Sequence, residues 1–409
     1  WGWPALPARG RHRRAGMGPC VICDTGTGVM KAGFAGDQEP QLMLPTLVGR
    51  PMIRYDCGLP SDIQLGDLVV GKDANTYRSM LQLNRPIENG IIKSWDDMEA
   101  VWQHTFEQLR IRPEEHNVVQ TEAALNPRGN REKMVETMFE TFGFQAVNVS
   151  VQAILALNSQ GLSTGFVVDS GDGVTHLVPV TEGFVEPARV ERVNLAGRHV
   201  TEQLMKLLVG SGHPLNSTAD FETVREIKEK LCYVAFEPEA ERRLGRETTL
   251  IDRKYTLPDS REMRVGAERF LAPEILFNPA LNMRGDGEGL GGLVFNTIRK
   301  SDIDVQKDYF SHIVLSGGTT MFPGFSSRLE RELRALYLEN VLKGDRSRAA
   351  KFKCNIEDPP SRHHMVFLGA SIMAGAYEEQ GNTRWFITRK EYEECGVQAV
   401  HRLIPTKYG

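Results

Sequence analysis

The sequence has no apolar run of the roughly 18 residues that a membrane-crossing helix needs. It has no excess of charge of one sign: 49 basic residues stand against 53 acidic ones, a formal net charge of -4. That balance gives no footprint for nucleic acid or for an anionic membrane. Cysteine is scarce, with six in 409 residues. Cys20 and Cys23 have CxxC spacing, but no second pair follows and Cys23 falls in a strand pattern. Scattered buried thiols in a reducing compartment fit this better than a zinc site. There is no GxxxxGK[ST] and no GxGxxG followed by a suitably placed acid, so the two commonest phosphate-loop signatures are missing. No low-complexity linker divides the chain.

What is present is an ordinary globular composition, 41% hydrophobic and 25% charged, long enough for two or more domains with sizeable cores. The 39 glycines point to many tight turns or close backbone approaches. Residues 1–17 carry Arg9, Arg11, Arg13 and Arg14 without apolar periodicity and end at Met17; they read as a disordered tail or non-native extension, with a targeting peptide lacking a clear apolar core as the alternative. Beyond them strand and helix patterns alternate, the mark of an α/β protein. SWDDMEAVWQHTF opens with an S-x-x-D capping box from Ser94 to Asp97 and repeats Trp95, Met98, Val101, Trp102 and Phe106 on one face. RGNREKMVETMFETFGF places Met134, Met138 and Phe142 at helical spacing. A second box, Ser217 to Asp220, opens a helix with Val224, Ile227 and Leu231 inward, and SRLERELRALYLENVL turns Leu329, Leu333 and Leu336 inward. VVQTEA, GFVVDSG and HIVLSGG read as short core strands running into polar or glycine loops, the turn-rich stretch from Thr46 as a small lobe, and EPEAERRLGRE (237–247) as a charged, solvated connection.

Two of those loops echo each other. DTGTG at 24–28 and DSGDG at 169–173 both follow an apolar strand, and both are followed by residues that turn back as a hairpin would. Glycines let backbone N–H groups approach phosphate oxygens that a side chain would block. Asp24 and Asp169 repel phosphate, yet either can hold a hydrated divalent cation whose other face meets it, as Mg²⁺ commonly is held. LSGGTTMFPG (315–324) adds a Gly-Gly against which a base, ribose or phosphate can lie. The pattern therefore points to a nucleotide clamp made of two hairpins.

CDTGTGVMKAGFAGD, TEAALNPRGNREKMVETMFETFGF, VVDSGDGVTH, IKEKLCYV and SGGTTMFPG resemble the actin superfamily, in that family's order, from about Cys20 to the end. The resemblance implies an actin-like ATPase fold: two similar, ribonuclease H-like α/β halves around a nucleotide cleft. The first half would be 18–160 plus 365–409 with a small lobe at about 46–84, and the second 161–364 with a lobe at about 196–285. Within the family, RSMLQLNRPIENG, YTLPDSREMRVGAERF and LYLENVLKGDRSRAAKFKCNIEDPP are more similar to an actin-related subunit of the complex that starts daughter filaments than to conventional actin. The implied partners are a sister actin-related subunit, the other branch-complex subunits, actin filaments and nucleation-promoting factors, in the cytoplasm and actin cytoskeleton, with no nucleic acid and no direct membrane insertion.

The resemblance also assigns roles, with ATP and Mg²⁺ as cofactors. Asp24 and Asp169 would orient the waters of Mg²⁺. Gly26, Thr27, Gly28 and Val29 would line one phosphate loop with Lys31 beside it, and Gly171, Asp172, Gly173 and Val174 the other. Gln152 and His176 would position the attacking water, Gln152 without losing a proton and His176 as a relay. Lys228 and Glu229 would reach the adenosine; from the residues alone they read as an exposed charged pair. Gly317, Gly318, Thr319 and Met321 would pack along the nucleotide. Two positions depart from the family pattern: Thr25 stands where asparagine is usual, and His363 where a lysine follows the Pro-Pro. Segment 55–68 differs from the loop that conventional actin inserts into its neighbour. Hydrolysis would be slow and serve as a conformational switch. The competing readings are a conventional filament-forming actin, a nuclear actin-related subunit of a chromatin complex, and a sugar-kinase-like phosphotransferase, for which no acceptor-site base is evident.

Overall fold

The computed structural model describes residues 18–52, 66–217, 220–281 and 287–403. The expected tail at 1–17, Cys57 and most of segment 55–68 lie outside the described residues. The chain separates into two compact units, with the divisions at Val167/Val168, Pro179/Val180, Val190/Glu191 and His363/His364. It is a mixed α/β chain.

The first unit is built on a sheet whose strands run in the order Ile387–Thr388, Ala146–Val151, Asn117–Glu122, Val21–Thr25, Val29–Phe34 and Leu42–Pro45. Asn117–Glu122 pairs parallel with both Val21–Thr25 and Ala146–Val151, while Val29–Phe34 returns antiparallel as a hairpin. All five residues of Val21–Thr25 are buried: Val21, Ile22 and Cys23 supply the apolar run of a central strand, and Asp24 and Thr25 end it. Trp95–Gln108 buries Met98, Val101, Trp102 and Phe106 against the sheet residues Val21, Val118 and Val147. Burying side chains of this size contributes about 1.5–3 kcal/mol each. Ser94 is the N-cap of that helix, but its hydroxyl caps no helix N–H. Asp97 instead binds Arg50 (2.5 Å), Asn84 and Ser94, and these bonds hold its carboxyl below the usual range against the opposing effect of burial. Arg128–Glu136 continues as a π-helical turn, Thr137–Thr141, and buries Met134, Met138 and Phe142.

In a second sheet, Thr175–Thr181, Gly165–Ser170, Ile313–Ser316 and Ile356–Glu357 are successive neighbours, with Glu191–Val193 antiparallel to the first of them. The reciprocal box at Ser217 and Asp220 forms: Asp220 N–H donates to the Ser217 hydroxyl (3.2 Å) and Ser217 N–H to the Asp220 carboxylate (2.9 Å). It starts the helix Asp220–Leu231, with Val224 and Ile227 fully buried and Leu231 half-buried. Phe325–Asn340 buries Leu329 and Leu333 and leaves Leu336 half-buried. Residues 237–247, expected as a connection, are a helix, Pro238–Glu247. Pro238 fits the first turn, Glu239 and Glu241 complement the positive helix start, Arg246 complements its end, and Leu244 packs on Ala235, Ile251 and Phe270. Of the thiols, Cys20, Cys23, Cys232 and Cys354 are buried and pushed up by that burial, whereas Cys395 is exposed.

Candidate functional site

In the first unit, the hairpin of Val21–Thr25 and Val29–Phe34 pairs Asp24 with Lys31 across the strands. Lys31 Nζ stands 2.7 Å from Asp24 Oδ2. The other carboxylate oxygen, Oδ1, accepts from the Thr121 hydroxyl (2.8 Å) and from Gln152 Nε2 (3.3 Å). Asp24 is 2% exposed, and a cation and two neutral donors supply the partners that a buried carboxylate needs. Gln152 is the first residue of the helix Gln152–Ser159, placed there by the end of the strand Ala146–Val151. The turn between the hairpin strands is tied down on both sides. The Thr46 hydroxyl donates to Gly26 O (2.8 Å), Thr46 N–H to Gly28 O (3.1 Å), and Gly90 N–H to the Thr27 hydroxyl (3.0 Å). A Cβ on Gly26 would stand 2.6 Å from Val29 O, so this turn needs glycine there. Thr25 donates its hydroxyl to Gln120 Oε1 (3.2 Å), inside the sheet.

In the second unit, Gly171 N–H donates to Val174 O (3.1 Å), and the Ser170 and Thr175 hydroxyls meet at 2.8 Å below the turn. Two donors converge on Gly171 O: the Thr319 hydroxyl (2.6 Å) and Gly197 N–H (3.1 Å). Arg198 holds Asp172 twice, through its own N–H to the backbone carbonyl (2.8 Å) and its guanidinium to the carboxylate (3.0 Å). Lys228 is buried and donates to Gly197 O (3.1 Å); desolvation lowers its pKa, opposed by Asp172. Gly317 has φ +89, and a Cβ there would lie 2.2 Å from Ser170 O and 3.0 Å from Asp169 Oδ1, so only glycine lets this loop close on the aspartate's strand. Gly318 faces open space. Gly317 N–H donates to Arg362 O, and Arg362 donates to Thr320 O (3.0 Å), which fixes the backbone beside His363. His176 is 2% exposed, and its Nε2 has no hydrogen-bond partner among the described residues. Burial, with Arg192 opposite it in the strand pair, lowers its pKa to about 4.

The structure thus brings Asp24, Lys31 and Gln152 together beside the loop Gly26, Thr27, Gly28, Val29. Separately, it sets Asp169, Gly171, Asp172, Thr319 and Lys228 around one backbone crossing with Gly317 and Gly318. Met321 ends the short helix Gly318–Met321 and is half-buried. Gly173 and Val174 complete the second turn as buried residues. The exposed-pair reading of Lys228 and Glu229 is corrected: Lys228 turns inward, and only Glu229 lies outside, paired with Arg225 (2.9 Å). The sequence reading left out Thr121, Gly197, Arg198 and Arg362. Thr121 could have been found as a hydroxyl at the carboxyl end of a core strand, where sites in α/β sheets collect.

A family model described as Actin matches residues 17–405. Over 385 residues the chain is 50% identical to actin-related protein 2 of Acanthamoeba castellanii, spanning 94% of this chain and 98% of that one. It is 48% identical over 384 residues to actin-related protein 2 of Arabidopsis thaliana, again spanning 94% and 98%. The same protein of Oryza sativa subsp. japonica is 48% identical over 386 residues, with 94% and 98% covered. A match of this length, on a mixed α/β chain with two glycine hairpins, leaves one conclusion: the chain belongs to the actin family.

Proposed function

We propose that this chain is the actin-related subunit of an assembly that nucleates daughter actin filaments from the sides of existing ones, and that it binds ATP with Mg²⁺ as a conformational switch. The observation that carries the reading is near-full-length identity of 48–50% with proteins named actin-related protein 2. Its partners are a sister actin-related subunit, the other subunits of that assembly, actin filaments and nucleation-promoting factors, in the cytoplasm and actin cytoskeleton.

The residues fit the nucleotide and its cation. Asp24 is a buried carboxylate with one acceptor direction left after Lys31, Thr121 and Gln152, out of about four. That suits a cation held through its waters better than direct ligation. Among the described residues no cluster of three or more His, Cys, Asp or Glu stands ready as a cage, and Mg²⁺ is usually held by one or two carboxylates plus phosphate. Asp24 and Asp169 would hold the cation. The turns at 26–29 and 171–174 would present N–H groups to phosphate, Lys31 would add a point charge, and Gly318 leaves room for a flat group. Lys228, Glu229, Met321 and His363 lie on the nucleoside side of this assignment. When bound, Mg²⁺ neutralises phosphate charge. Gln152 orients water by donating and accepting without a net charge change, and His176 offers a neutral ring nitrogen. Slow hydrolysis then relaxes the ATP-favoured state, a shift in population rather than metabolic turnover.

Affinity capture of the chain from its source cells, with mass spectrometry, tests the assembly: recovery of the sister actin-related subunit and its companions is expected. Recovery of chromatin-complex subunits instead would overturn it. For the cofactor, Asp24→Asn is expected to fold and to lose roughly tenfold or more in Mg-ATP affinity by calorimetry, because a charged acceptor is removed. Unchanged affinity would remove Asp24 from the cation site.

A further inference from the structure

We infer that Thr121 is a positioning residue for ATP hydrolysis, acting through Gln152 and Asp24; this rests on the nucleotide reading above. The Thr121 hydroxyl has one hydrogen to donate and two lone pairs. All three are used. It donates to Asp24 Oδ1 (2.8 Å) and accepts from Gln152 Nε2 (3.2 Å) and from Thr25 N–H (3.3 Å). Two of these partners are donors, so the hydroxyl hydrogen has one acceptor to choose, the Asp24 carboxylate, and its direction is set.

The consequence falls on Gln152. Its amide nitrogen also reaches Asp24 Oδ1 (3.3 Å), so nitrogen is committed to both the carboxylate and the threonine oxygen. Turned over, the amide would set its own oxygen against a carboxylate. The arrangement therefore presents Oε1, the end that accepts a hydrogen bond from water, away from Asp24. Without the hydroxyl, one 3.3 Å bond would hold the amide, and rotation about the side chain would cost little. The fold places Thr121 here for a definite reason. Its strand, Asn117–Glu122, lies between Val21–Thr25 and Ala146–Val151, with Gln120 opposite Cys23 and Thr121 opposite Ser150. Asp24 follows Cys23 in its strand, and Gln152, two beyond Ser150, opens the helix that follows the other strand. Thr121 is 1% exposed, so solvent does not replace it.

The test compares Thr121→Val, which keeps the branched shape and removes the hydroxyl, with Thr121→Ser, which keeps the hydroxyl, in the full chain. Mg-ATP affinity is read by calorimetry, hydrolysis of bound ATP by single turnover, and stability by thermal unfolding. Thr121→Val is expected to slow hydrolysis about tenfold or more and to weaken Mg-ATP binding several-fold, as loss of a bond to a charged group does. Thr121→Ser is expected within about threefold of wild type on both measures, since its hydroxyl keeps the same inventory of bonds. Thr121→Val is expected to cost less in hydrolysis when added to Gln152→Ala than when added to wild type. Wild-type hydrolysis and affinity in Thr121→Val overturn the inference, as do equal losses in the Val and Ser variants or additive losses in the double variant. If Thr121→Val does not fold, Thr121→Ala against Thr121→Ser decides by the same criteria. Failure of the wild-type chain to bind Mg-ATP overturns the nucleotide reading itself, and this inference with it.

Discussion

His176 shows how surroundings choose a side chain's chemistry. Burial comes first, the nearby Arg192 charge second, and both disfavour the imidazolium, so the pKa falls from 6.5 to about 4. At pH 7 the ring is neutral, and a relay through it begins by accepting a proton. The same shift predicts a pH dependence of stability. Between about pH 6.5 and 4 the unfolded chain binds a proton at His176 and the folded chain does not, so acid favours unfolding. The contribution is fully present above about pH 6.5 and is lost as pH falls towards 4, on the order of 3 kcal/mol in all. Urea unfolding of wild type is therefore expected to show a steeper loss of stability from pH 6.5 to 4.5 than unfolding of His176→Gln. Parallel slopes would contradict the burial argument. Thr25 is a simpler case. Its hydroxyl serves Gln120 within the sheet, so the departure from asparagine changes a strand-to-strand bond and leaves the carboxylate network of Asp24 in place.

At the scale of elements, some helices were legible and one was not. Trp95–Gln108 and Phe325–Asn340 carry apolar residues every three or four positions, and that period is visible in one dimension. Pro238–Glu247 has no buried residue, so no stripe betrays it; its proline start, its end charges and the Arg242–Glu239 pair are local signals that a charged loop shares. Glycines also separate at this scale. Gly369, within Met365–Glu379, lies where that helix crosses Gln152–Ser159, and a Cβ there would stand 1.9 Å from Leu155 O. Gly129 sits in Arg128–Glu136 with nothing within 4 Å. Gly369→Ala is expected to destabilise by about 1–3 kcal/mol, the usual cost of overpacking, or more because the obstacle is backbone. Gly129→Ala is expected to be neutral or to stabilise by about 0.4–1 kcal/mol. Denaturant midpoints of the two variants check both, and equal effects would remove the crossing as the reason for Gly369.

For the whole molecule, the question is whether the chain polymerises alone or serves in an assembly. The stretches that resemble the branch-nucleating subunit lie between residues 78 and 360, and the identity of 48–50% with actin-related protein 2 covers 94% of the chain. Segment 55–68, where the sequence differs from conventional actin's inserting loop, lies mostly outside the described residues. The pure chain with Mg-ATP is expected to stay in the supernatant on high-speed centrifugation, and filaments in the pellet would favour a conventional actin. Among the described residues no helix is long and apolar enough to cross a membrane.

By itself the sequence determined the alternation of strand and helix, the two Asp-Gly hairpins and the family, because each of these is written in neighbouring residues or in runs short enough to compare directly. It did not determine what surrounds Asp24. Thr121 and Gln152 are 97 and 128 residues away along the chain, and parallel pairing of Val21–Thr25 with Asn117–Glu122 brings them in through crossovers too long to read locally. Thr319 and Gly171, 148 residues apart, meet for the same reason: two strand ends stand side by side once the sheet forms. Burial is likewise a property of the packed fold; Lys228 lies inside it, and burial, with Arg192 second, lowers the His176 pKa.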